Sequence, residues 1–230
     1  MFRALKLQIN IVDVLCIDEE LSQFHRGRPY DLQLLSTQLD KLPNNLWLPE
    51  ALLLGGSLDV PKFLSKIVKC NLDNLYLVVD TKFTINELKF LTQSKTIKTI
   101  NIDRIIYKSH ENDAVAPLED VLSYFLSANS ISFDICHVTN ETMKKLLLLN
   151  FHQKLDCFSL YQITQINGSE MMDANLMDEF LKKNLADNAC LYFNHVDEID
   201  DQIFKLQMFK KLRAWSPEEK KPRTFPDCFR

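Results

Sequence analysis

The chain has 230 residues, is 46% hydrophobic and 25% charged, and carries a net charge of −4 from 27 basic and 31 acidic side chains. That is enough apolar sequence for a substantial core in one large or two small domains, and the acidic balance offers no general attraction for nucleic acid. Six cysteines lie far apart with no CxxC spacing, so they read as reduced structural thiols rather than a disulfide framework.

The first seventeen residues are apolar, but Arg3, Lys6, Gln8, Asn10 and Asp13 interrupt them. No run approaches the roughly 18 apolar residues that a bilayer span needs. The expected setting is therefore the cytoplasm or the nucleus, with no membrane. Leu5, Leu7, Ile9 and Ile11 alternate as in a strand, and Val12 to Ile17 extends it. Arg26-Gly27-Arg28-Pro29 signals a turn, and Leu32, Leu35 and Leu39 predict one face of a short helix that Leu42-Pro43-Asn44-Asn45 stops. Residues 1–47 thus read as an irregular strand and helix region packed on the repeats that begin at Leu48.

From Leu48 a six-residue pattern sets the rhythm: apolar, two variable, apolar, one variable, apolar. It runs Leu72 to Leu77, Ile97 to Ile102, Ala128 to Phe133 and Leu155 to Leu160, and more weakly Asn188 to Phe193. Val12 to Ile17 and Leu48 to Leu53 also fit, and the steps between copies are 24 to 36 residues. The last two apolar positions alternate as in a strand buried on one face, and a recurring period is the mark of stacked units.

Helical signals fill the intervals. Ser57-Leu58-Asp59 precedes a stripe of Phe63, Leu64, Ile67 and Val68; Thr84 with Glu87 makes a capping box before Leu88 and Leu91. Pro117 suits the first turn of a helix with Leu118, Val121, Leu122, Phe125 and Leu126. Thr139 and Thr142 open one with Met143, Leu146, Leu147 and Leu149, and Asp173 opens one with Leu176, Met177, Phe180 and Leu181. A final helix carries Ile199, Ile203, Leu206, Phe209 and Leu212, and residues 214–230 read as a loose tail.

Each strand–helix unit is too small to bury its own apolar face, so neighbours must stack. Residues 48–213 therefore predict a leucine-rich-repeat-like α/β solenoid segment, irregular repeats of strand plus helix with a largely parallel sheet. A doubly wound sheet is the alternative.

Chemistry-bearing motifs are sparse. The five histidines occur singly, without HxxxH or HExxH spacing, and read as surface or satisfied side chains. Cys157 follows His152 but has no third group to orient a base. Four glycines form neither GxGxxG nor a P-loop. Neither a metal nor a cofactor is expected. The acidic run Asp197, Glu198, Asp200 and Asp201 fits the first turn of the last helix. The one loop with suitable residue types for a small hydrolase or transferase is His110-Glu111-Asn112-Asp113, the alternative to a non-enzymatic reading.

What remains is a surface. Residues between the inward apolar positions point to the open face of the sheet. Stacking the later strands gives a row of Tyr76, Asn101, Ser132, Ser159 and Tyr192. On one side lie Asn74, Thr99, Ser130, Cys157 and Cys190, and on the other Val78, Asp103, Asp134, Tyr161 and Asn194. Tyrosines among small polar groups suit a protein partner. The expected contact residues are Tyr76, Asn101, Asp103, Ser132, Asp134, Ser159, Tyr161 and Tyr192.

From about Leu72 to Leu212 the chain resembles the nematode-expanded F-box-associated domain, or FTH domain. The resemblance rests on Val138-Thr-Asn-Glu-Thr-Met-Lys-Lys-Leu146, on Asn150-Phe-His-Gln-Lys-Leu-Asp-Cys-Phe-Ser-Leu160, and on Asp178 to Asn184 followed by Cys190-Leu-Tyr-Phe-Asn194. It implies a substrate-recognition part of a ubiquitin-ligase receptor, with no catalytic residue. Such domains commonly follow an F-box that docks a Skp-type adaptor. Here Leu42-Pro43 resembles the F-box opening, but Gly55-Gly56 and a strand-like Leu52 to Leu54 follow in place of its helices. The expectation is a recognition half alone, from a shortened paralogue or an incomplete gene model, with no direct adaptor binding.

Overall fold

A computed structural model of the chain describes residues 9–18, 32–78, 82–107, 114–166, 172–215 and 222. Nine strands form the main sheet: Val14–Asp18 (β1), Leu32–Leu35 (β2), Ala51–Gly55 (β3), Asn74–Val78 (β4), Thr99–Ile102 (β5), Ser130–Phe133 (β6), Cys136–Val138 (β7), Leu155–Gln165 (β8) and Leu185–His195 (β9). Six helices are interspersed: Val60–Leu64 (α1), Ile85–Thr92 (α2), Leu118–Leu122 (α3), Thr142–Leu148 (α4), Ala174–Asn184 (α5) and Glu198–Ala214 (α6). The strand order is β2-β1-β3-β4-β5-β6-β8-β9, with β7 in line with β6 along β8, and every pairing is parallel. The result is an α/β fold with an open parallel sheet.

The apolar repeat positions explain the register. Leu15, Leu52, Leu75, Ile100, Ile131, Phe158 and Leu191 are direct cross-strand partners in succession, and so are Ile17, Leu54, Leu77, Ile102, Phe133, Leu160 and Phe193. All fourteen are buried in one core. Phe158 meets Phe180 of α5 at 5.3 Å between ring centroids, and Phe193 meets Phe204 of α6 at 5.5 Å, so these helices cover the apolar face.

One copy of the pattern is displaced. Leu52 and Leu54 face the core, whereas Ala51 and Leu53 fall in the opposite rows. A one-residue shift inverts every side chain of a strand, and an unbroken Leu52-Leu53-Leu54 run conceals its own phase.

A second, polar repeat anchors the start of successive strands. The carbonyl of Glu50 accepts from the amides of Asp73 and Asn74, that of Asp73 from Lys98 and Thr99, that of Lys98 from Asn129 and Ser130, and that of Asn129 from Asp156 and Cys157. Lys98 Nζ to Asp73 at 3.0 Å and Asn129 Nδ2 to Asp156 at 2.7 Å reinforce two of these joints.

Helices α1, α3 and α4 are short, at 5, 5 and 7 residues. Asp59 caps α1, accepting from the amide of Lys62 at 3.0 Å, but Ser65 ends it and Ile67–Cys70 returns as a strand. The helical stripe through Ile67 and Val68 is therefore corrected. Leu32–Leu35 is likewise a strand, and only Ser36–Lys41 turns, as 3-10 helix; with leucine at 32, 34 and 35, β pairing beside β1 buries Leu34. In α2 both arms of the capping box form, Thr84 N to Glu87 Oε2 at 2.6 Å and Glu87 N to Thr84 Oγ1 at 3.2 Å. Pro117 caps α3, which ends before Phe125 and Leu126.

Glu119 of α3 is buried and holds α4 in place. Its carboxylate accepts from Thr142 Oγ1 at 2.6 Å and Thr139 Oγ1 at 3.0 Å, and Lys145 Nζ lies at 3.5 Å. A buried carboxylate is tolerated when its lone pairs are filled in this way. Trp215, expected in a loose tail, is buried instead, and its Nε1 donates to Asp178 Oδ1 at 2.7 Å.

Candidate functional site

The open face is built by the residues that alternate with the apolar rows. Tyr76, Asn101, Ser132, Ser159 and Tyr192 are cross-strand partners in one continuous row over β4, β5, β6, β8 and β9. Asn74, Thr99, Ser130, Cys157 and Cys190 form the neighbouring row. Beyond Tyr76 the central row continues through Leu53 and Cys16, which are buried. The accessible stretch therefore begins at Tyr76 and ends on the last strand at Tyr192. Asn101 is exposed, Tyr76, Ser132 and Tyr192 are half-buried, and Ser159 is buried.

The third row brings its members closer than alternation alone would place them. Tyr161 stacks on Tyr192 with ring centroids 4.3 Å apart and planes 29° from parallel. Nearby, Ser159 Oγ lies 3.6 Å from Cys157 Sγ. The irregularity of β8 between Leu160 and Ile163, with Gln162 at a φ of 45°, belongs to this turn of the chain. Burial, more than any neighbour, pushes the Tyr161 phenol above its ordinary value.

Asp103 and Asp134 follow the ends of β5 and β6. The amides of Asp103 and Asp134 donate to the carbonyls of Leu77 and Ile102, which carries the sheet register one step further. Their carboxyl groups are neighbours, and Asp134 is pushed up to about 6, by burial first and by Asp103 second. Two carboxylates side by side hold a proton that an isolated one would release. All eight expected contact residues therefore lie on this one face.

Other chemistry-bearing residues are engaged elsewhere. His152 Nδ1 pairs with Ser127 Oγ at 2.9 Å, and Cys157 with Ser159, so they form no nucleophile–base dyad. Burial pushes Cys16 up to about 11 and Cys70 to about 12, far from thiolate reactivity. Among the described residues no three His, Cys, Asp or Glu side chains gather as metal ligands, and no helix is long and apolar enough to cross a membrane. A hollow of about 330 Å³ at the starts of α4 and α5 has Thr139, Lys144 and Asp173 on its wall, but Asp173 is occupied in capping α5. A second hollow, of about 320 Å³, contains Lys183, whose Nζ donates to the carbonyls of Leu147 and Leu149. The loop at 110–113 lies outside the described residues.

His195 departs from the expectation of a satisfied or exposed histidine. It is buried at the end of β9, and among the described residues neither ring nitrogen has a hydrogen-bond partner. Asp201 Oδ1 stands 3.5 Å from Nδ1 but accepts instead from the His195 backbone amide at 2.8 Å. Burial holds the imidazole below its ordinary value, against the opposing pull of Asp201. An isolated histidine in a strand pattern carries no sign of this.

Compared with known proteins, the chain matches no family model, no curated protein and no solved structure. What fold and face define is an α/β chain presenting one polar, tyrosine-bearing sheet surface.

Proposed function

We propose that the chain is a non-enzymatic protein-interaction module of the cytoplasm, whose partner lies along the sheet face from Tyr76 to Tyr192. In this reading its units form a leucine-rich-repeat-like solenoid of the FTH type, the substrate-holding part of a ubiquitin-ligase receptor. The supporting observation is the unbroken in-register row Tyr76–Asn101–Ser132–Ser159–Tyr192. Rigid aromatic anchors separated by small hydrogen-bonding side chains concentrate binding energy at low entropic cost.

The test is affinity purification of the chain with and without proteasome inhibition, repeated with Tyr76→Ala and Tyr192→Ala. A captured partner should bind each variant about 5- to 30-fold more weakly, the equivalent of ~1–2 kcal/mol. Undiminished binding by both variants would remove this face from the function. A recombinant Skp-type adaptor should not co-purify at micromolar concentration; if it does, the chain docks the ligase by other residues.

A further inference from the structure

Five cysteines lie among the described residues, and all are free thiols. Cys16, Cys70 and Cys136 are buried, and burial pushes their thiols up, away from thiolate chemistry. The other two differ in both placement and access. Cys157 is half-buried and Cys190 is exposed, and both stand on the open face in the row next to that of Ser159 and Tyr192. They are also direct cross-strand partners, Cys157 on β8 and Cys190 on β9. The sheet register sets no other two cysteines opposite each other among the described residues.

Neighbouring strands lie about 4.7–4.9 Å apart, within the Cα separations of about 4.4–6.8 Å that a disulfide spans. Register partners on parallel strands point the same way, so their β-carbons start about as far apart as the backbones. A disulfide holds its β-carbons about 3.5–4.5 Å apart, so closure requires a small shift of one strand.

β9 is placed to make that shift. It pairs with β8 and with no other described strand, so moving it breaks no second ladder among these residues. Just before Cys190 it bulges, advancing five residues from Leu185 to Cys190 where β8 advances two from Leu155 to Cys157. Asn188, within that bulge, has a φ of 55°. Bulges at sheet edges disrupt the local ladder and re-aim a side chain.

We propose that Cys157 and Cys190 are a reversible modification site, a thiol pair that glutathione disulfide converts to an intramolecular bridge. The exposed Cys190 thiolate attacks one sulfur of glutathione disulfide, forming a mixed disulfide and expelling one glutathione thiolate. The Cys157 thiolate then attacks Cys190 Sγ, forming the bridge and expelling the second. Two cysteine thiols lose two protons and two electrons, and one glutathione disulfide becomes two glutathione thiols. Ser159 Oγ, 3.6 Å from Cys157 Sγ, is a hydroxyl that can donate to the resolving thiolate. An exposed and strained bridge belongs with the readily reduced ones, so reduced glutathione takes it apart. While it lasts, it joins β9, and Tyr192 with it, covalently to β8.

The test treats the native full chain with glutathione disulfide, alkylates the remaining thiols and maps an unreduced digest by mass spectrometry. The expected product is a peptide pair joined through Cys157 and Cys190, separated again by excess reduced glutathione. Cys157→Ser should stop the reaction at a glutathione adduct on Cys190. Cys190→Ser should slow modification of Cys157 by about tenfold or more, as its thiol is the less accessible. Both variants should keep the circular dichroism spectrum of the parent chain; if either loses it, the mapping of the parent chain decides alone. A native chain that stops at the Cys190 adduct, bridges through Cys228 or stays fully reduced overturns the proposal.

Discussion

The Asp134 carboxyl group stands beside that of Asp103, its counterpart one strand away on the accessible face, and this neighbour adds to burial in pushing it up to about 6. Two acids held together in this way oppose folding once both are ionised. The value for Asp134 rises from 3.8 to about 6 on folding, so between these limits the folded chain binds the extra proton. Its stabilising contribution is complete below about pH 3.8 and is lost as pH rises through about 6.

Asp134→Asn should therefore stabilise the protein at pH 7.5 by about 1 kcal/mol, the shift being discounted because the group is only part-buried. The gain should vanish at pH 4. Denaturant melts of both proteins across that range measure it. A constant difference at all pH values would mean that Asp134 and Asp103 do not share a proton.

His195 carries the opposite sign. Its folded value lies below the ordinary 6.5, so the unfolded chain takes up the proton first. The neutral ring's contribution is present above pH 6.5 and is lost as pH falls below it. His195→Phe keeps a ring against Phe204, now at 4.8 Å, and removes two unpartnered nitrogens. Stability at pH 7 should hold or rise by about 1 kcal/mol, the usual cost of an unsatisfied buried polar group, and acid sensitivity below pH 6.5 should diminish. Loss of more than about 2 kcal/mol would show that the imidazole has partners after all.

Phe133 fills the apolar row between Ile102 and Leu160 and is buried. Phe133→Ala should cost about 3–5 kcal/mol in a denaturant melt. A cost below about 1 kcal/mol is that of a surface position and would contradict its place in the core.

Glu119→Ala should be comparably severe, about 3 kcal/mol, because it removes the buried carboxylate that accepts from both Thr139 and Thr142. Lys145→Ala should cost less than about 1 kcal/mol, since the lysine is half exposed. Equal costs would place the energy in the ion pair rather than in the hydroxyls.

The sheet is legible in the sequence because its apolar residues recur at two fixed positions of a short pattern, as Leu75 and Leu77 or Phe158 and Leu160 do. Phase fails only where the pattern saturates, at Leu52-Leu53-Leu54. Ile67 and Val68 look helical because they continue the spacing from Phe63 and Leu64; only Ser65 and Lys66, which turn the chain, separate the two elements. On α6 two stripes of equal quality, Ile199–Ile203–Leu206 and Phe204–Met208–Leu212, compete, and hydrophobicity cannot say which meets the core. Alternation places the eight face residues. It cannot foresee the stacking of Tyr161 on Tyr192, which depends on a local irregularity of β8, nor the contact between Asp103 and Asp134, which lie 31 residues apart.

The shared carbonyls of Glu50, Asp73, Lys98 and Asn129 give the sheet a hinge side and a free side. Each of these oxygens clamps two consecutive amides where the next strand begins, so strand register is fixed at that margin. Sequence drift in the connections beyond the far ends of these strands therefore leaves the joints at this margin untouched. A lineage of such chains has room to vary one margin of the sheet while the other keeps the same stitch.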